Sequence, residues 1–159
     1  MEPPAPPPTV SALLARIEAA FPPLQPLHSL ADADAVDTAH GSLKATHAVN
    51  LPPTDAELLR FGWGLPHLDP HSWRAHLPYF LAHAVRNAGA GESLVVPWTL
   101  ETVRPPDRPV PRLATLTCAQ RDVVVGVLEF LACDASSAFQ EFALQVLGEF
   151  RLVDPTRSP

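Results

Sequence analysis

The sequence is poor in the residues that most protein chemistry requires. Cys118 and Cys133 are its only cysteines, too few for a Cys-x-x-Cys zinc knuckle or a disulfide framework. They fall near opposite ends of one expected helix, about 22 Å apart at 1.5 Å per residue, beyond the reach of a disulfide. Two free thiols suit a reducing cytoplasm. Lysine occurs once, as Lys44, the arginines are scattered along the chain, and the formal net charge is −6. That balance argues against nucleic acid, whose binding draws on clustered cations. No apolar run reaches the ~20 residues that cross a bilayer, and the opening MEPPAPPP lacks the basic and apolar regions of a signal peptide. The seven glycines build no phosphate loop, dinucleotide fingerprint or Gly-x-Ser-x-Gly elbow. No cofactor is implied.

What is present suits one globular domain. A chain of 159 residues with 47% hydrophobic and 18% charged residues can bury roughly two-thirds of its unfolded surface. Its 20 prolines belong in loops and helix starts. Residues 1–8 read as a disordered proline-rich leader, 9–153 as a single helical domain and 154–159 as a frayed tail.

Helical signals recur along the chain. Val10, Leu13, Leu14, Ile17 and Phe21 give a first amphipathic helix ended by Pro22 and Pro23. Ala31 to Ala39 reads as a short exposed helix. Thr54 with Glu57 is a capping box opening a helix to about Phe61, followed by an aromatic turn with Phe61, Trp63 and Leu65. Asp69 and Pro70 supply the N-cap and first position of the next helix, which Pro78 should kink or restart because the Arg74 carbonyl loses its donor. Residues 93–103 surround Pro97 with β-type residues, so the Ala88 to Arg112 stretch reads as a long proline-rich arm with at most a short strand or hairpin. Thr117 with Gln120 caps a central helix through Ala132, apolar on most of its circumference, with Asp122, Gly126 and Glu129 left for water. A last helix, about Ser136 to Phe150, should pack antiparallel to it. The expected fold is a mainly α, single-domain helical bundle.

Two motifs carry a resemblance. One is Trp73, Arg74, Ala75, His76, Leu77, Pro78, Tyr79, Phe80, Leu81. The other is Leu116, Thr117, Cys118, Ala119, Gln120, Arg121, followed by Leu128 to Ala132. Together they resemble an uncharacterised family of small, stand-alone bacterial proteins, a domain of unknown function with an aromatic-Leu-Pro-x-Phe-Leu helix and a Leu-Thr-x-x-Gln-Arg helix. The resemblance spans roughly the C-terminal half and implies no activity, cofactor or catalytic residue.

The histidines are the one chemically suggestive group. Ser72, His76, Tyr79 and His83 recur at i, i+4, i+7 and i+11 and share one edge of the Pro78 helix, where a small ligand would meet them. The same spacing describes a boundary stripe covering the core edge, and that reading weighs more. Metal ligation is disfavoured, since His76 and His83 are not a chelating pair and His67 with His71 straddles a helix start. Two functions follow. The first is a non-catalytic, cytoplasmic protein-interaction domain of the inhibitor or immunity type, with Trp98 as its anchor and another protein as partner. The second is an enzyme or small-ligand sensor built on the His/Tyr edge.

Overall fold

The computed structural model describes residues 8–39 and 41–153, so most of the leader and the tail beyond Val153 lie outside the described residues. Seven helices and two 3-10 turns make up the domain, and no strand occurs among the described residues. Among the described residues no helix is long and apolar enough to cross a membrane.

Local chemistry sets most helix starts. Thr9 accepts from the Ala12 N–H and opens α1, Val10–Ala20. Thr54 and Glu57 form the expected capping box of α3, Asp55–Phe61, which runs into a 3-10 turn, Gly62–His67. Asp69 accepts from the Ser72 N–H and, with Pro70 at the first position, starts α4, Pro70–Arg86. Thr117 and Gln120 box the start of α6, Cys118–Cys133. These side chains pair first-turn donors that would otherwise lack partners.

The core lies where α1, α4, α6, α5 (Val95–Val103) and α7 (Gln140–Leu152) meet. Trp73, Phe80, Leu13, Leu77, Leu131 and Phe150 are wholly or almost wholly buried there. The indole Nε1 of Trp73 donates to Thr102 Oγ1 at 2.8 Å and ties α4 to α5. Helix α1 runs antiparallel to α6: Gln120 donates to the Ala20 carbonyl, while Arg16, a turn earlier in α1, donates to that of Asp122.

Four expectations need correction, and one is narrowed. The supposed extended stretch around Pro97 is helix α5, with Val95, Val96, Thr99, Leu100 and Val103 buried. Pro97 is its third residue, where an N–H has no intrahelical acceptor and a proline removes no bond. Of the two outcomes expected at Pro78, a kink or a restart, the restart does not occur, because α4 runs unbroken through it. Helix α2, Leu30–Ala39, is no exposed segment, because Leu30, Asp32 and Ala33 are buried where it packs on the 62–67 turn. Gly126 faces Arg16 rather than water: a Cβ there would lie 3.1 Å from the guanidinium that crosses it. Helix α7 starts at Gln140, not near Ser136, because the Asp134 carboxylate captures the Ser136 N–H and hydroxyl. Such local bonds compete with helix formation.

Candidate functional site

The four-residue edge of α4 divides in two. Ser72 is fully buried, and its Oγ accepts from the N–H groups of Leu27 and His28, each at 3.0 Å. His76 is 1% exposed and donates through Nε2 to the His28 carbonyl at 3.2 Å. Its Nδ1, the remaining lone pair, is buried with no partner. Burial pushes the His76 pKa down, against the opposing effects of the His28 carbonyl and Asp69. His28 itself donates through Nδ1 to Asp69 at 2.7 Å, and His71 to the Gln25 carbonyl at 2.8 Å. Ser72 and His76 therefore hold the 25–29 connection onto the first half of α4.

Tyr79 and His83 meet no such cover. They line an open groove of about 870 Å³ whose α1 wall carries Ser11, Leu14, Ala15, Glu18 and Phe21. The α4 wall is Pro78, Tyr79, Ala82, His83 and Arg86, and the segment with Pro52, Pro53, Asp55 and Leu58 forms the third side. All four edge residues share one face of α4; what differs is the chain laid over it.

Polar groups mark the rim. His83 Nδ1 lies 3.1 Å from Asp55 Oδ1. A carboxylate only accepts, so Nδ1 donates and Nε2 is left available to an occupant. Glu18 on one wall and Arg86 on the other are both exposed. Ser11 makes no hydrogen bond to His83, so no nucleophile and base are paired here. Among the described residues no three His, Cys, Asp or Glu side chains are grouped to hold a metal ion.

Trp98 is half-buried. A Cβ on Gly62 would sit 2.9 Å from its ring, and Trp63 meets it edge-on with centroids 6.1 Å apart. Trp63, 53% exposed, is the outer member of that pair. Its more exposed position was not legible from spacing.

The sequence reading also missed the buried Asp32. Asp32, 2% exposed, accepts from the backbone N–H groups of Ser29, Thr46 and His47, from Thr46 Oγ1 and from His47 Nδ1. Burial alone would raise its pKa, but these bonds outweigh burial and hold it well below the carboxylate range. It closes the loop between α2 and α3. Asp69 and Asp107 show the same balance, burial opposed by stronger hydrogen bonding. An Asp early in a helix is an ordinary cap, so only partners 14 and 15 residues away distinguish Asp32.

Fold and groove together define an all-α domain with an open cleft between α1 and α4. The chain belongs to DUF6714, a family of unknown function whose model matches residues 9–151. No curated protein and no solved structure matches it.

Proposed function

We propose that this is a non-catalytic protein-interaction domain whose α1/α4 groove receives a short extended segment of a partner protein. The groove's shape carries the reading. Between Ser11 and Phe21 it follows α1 for about 15 Å, which accommodates about five residues of extended chain. Its surface is mixed: Leu14, Phe21, Leu58 and four prolines supply apolar contact, while Glu18, Asp55, His83 and Arg86 supply polar groups. Apolar pockets between backbone-width walls, with polar groups fixing register, are how extended peptides are held. An open trough suits a segment entering and leaving better than an enclosed metabolite. The free thiols Cys118 and Cys133 support a cytoplasmic setting, and inhibitor or immunity-type action fits such binding.

Selection from a random decapeptide display library against the folded domain tests this. Enriched peptides should lose at least about tenfold in affinity with Ala82→Arg or Tyr79→Ala. They should be unaffected by Leu144→Arg, on α7 outside the groove. Failure to enrich any peptide, or enriched peptides that bind Ala82→Arg unchanged, would sink the proposal.

A further inference from the structure

The arginines are scattered in sequence, but folding lays the Arg74 and Arg121 guanidinium groups on the 3-10 turn Leu113–Thr115, which Arg108 and Arg112 precede in the chain. Arg121 donates through Nη2 to the Leu113 carbonyl at 2.6 Å, and Arg74 through Nη1 to that of Thr115 at 3.2 Å. At a rise of about 2.0 Å per residue those carbonyls are about 4 Å apart along the turn, so the two guanidinium groups stand within roughly 10 Å of each other. Arg112, which leads into the turn, is 5% exposed and donates through Nη1 to the Pro66 carbonyl at 2.7 Å. Burial, then the charge of Arg108, pushes the Arg112 pKa down, and Asp107 only partly opposes them.

Among the described residues none of these four cations has an ion-pair partner. Among the described residues the arginines in ion pairs are Arg104, with Glu101 and Glu149, and Arg151, with Glu129. The nearby Asp107 is committed to backbone: its carboxylate accepts from the N–H groups of Arg108, Arg112 and Ala114. A buried guanidinium bonded only to a neutral carbonyl is costly, and an arriving anion relieves that cost. Each guanidinium has five N–H donors, so donors remain beyond the carbonyl bonds. The cluster is locally cationic in a chain of net charge −6.

We infer that the Arg74, Arg108, Arg112 and Arg121 cluster is a docking site for a carboxylate-rich segment of a partner protein. This site stands apart from the α1/α4 groove and does not depend on it. Planar guanidinium groups pair bidentately with carboxylates. Nucleic acid fits less well: four cations fall short of the roughly 6–10 phosphate contacts of a strong binder, and the surrounding net negative charge repels a long polyanion.

The test is a fluorescence-anisotropy titration of the full chain at low salt with a labelled glutamate-rich decapeptide. A lysine-rich decapeptide and a single-stranded DNA decamer run in parallel. The acidic peptide should bind saturably, weaken with added salt, and lose about tenfold or more in affinity in Arg108→Glu/Arg121→Gln. Arg151→Gln, whose partner is Glu129 elsewhere, should bind as the parent does. Arg108 is exposed and unpaired, so Arg108→Glu alone, with an unchanged melting temperature, keeps the test decisive if the double variant unfolds; it should weaken binding severalfold. No saturation at millimolar protein, equal binding by the Arg108 variants, or tighter binding of the DNA decamer at the same residues would each overturn the assignment.

Discussion

Gly64 lies against the backbone of Asp34: a Cβ added to Gly64 would sit 2.5 Å from the Asp34 nitrogen and 2.9 Å from the Ala33 carbonyl carbon. Backbone cannot swing aside as a side-chain end can, so Gly64→Ala must push α2 off the 62–67 turn. The cost should be about 2 kcal/mol, in the range of core overpacking, read as a melting-point drop of roughly 4–8 °C. Gly148, exposed inside α7 with nothing within 4 Å, is the contrasting case. There Ala should raise stability by roughly 0.5–1 kcal/mol through chain entropy alone. Opposite signs in thermal melts of the two variants are the expected result; equal signs would deny the close approach.

Asp32 anchors the loop to His47 with its carboxylate buried. Asp32→Ala leaves the Ser29, Thr46 and His47 N–H groups without their shared acceptor, a loss of about 3 kcal/mol, or roughly 6–12 °C in melting temperature. The pH dependence has a definite sign. Its folded pKa lies well below the unfolded value of about 3.9, so the stabilisation is complete above that value. As pH falls below about 4 the unfolded chain takes up the proton first, and stability is lost. Chemical denaturation of wild type and Asp32→Asn at pH 7, 4 and 3 should show the two stabilities converging as pH falls.

Much of this fold was legible because its helix starts are written in short-range chemistry. Thr54 with Glu57, Asp69 with Pro70, and Thr117 with Gln120 each act within one turn, and each begins the helix expected of it. Helix α5 was misread because Pro97 weakens a strand yet costs nothing at the third position of a helix, and the apolar residues around it suit both. The site was half legible. Periodicity placed Ser72, His76, Tyr79 and His83 on one face, but which of them meet solvent depends on where the 25–29 connection lies. That connection is held by His28, Gln25 and Asp69, so the choice is tertiary. The arginine cluster was illegible for the same reason: its members come from α4, the α5–α6 connection and α6.

His76 gives the domain a second, higher pH window. Its imidazole is kept neutral by burial, with Nε2 on the His28 carbonyl and Nδ1 unpartnered. In the unfolded chain the same group protonates near pH 6.5. Because the folded pKa is lowered, the unfolded state binds more protons from about pH 6.5 downward, and stability must fall with pH across that window. His76→Leu removes the titration. It loses a hydrogen bond worth about 1 kcal/mol but also an unpaired buried acceptor of comparable cost, so at pH 8 the two proteins should lie within about 1 kcal/mol. Between pH 6.5 and 5 the wild type should lose stability relative to the variant, while below pH 4 both should follow the Asp32 limb in parallel. Urea denaturation of both proteins at half-unit pH steps measures the difference, which cancels the other six histidines. A flat difference from pH 8 to 5 would mean that His76 protonates as easily folded as unfolded, and that its burial beneath the 25–29 connection is not maintained in solution.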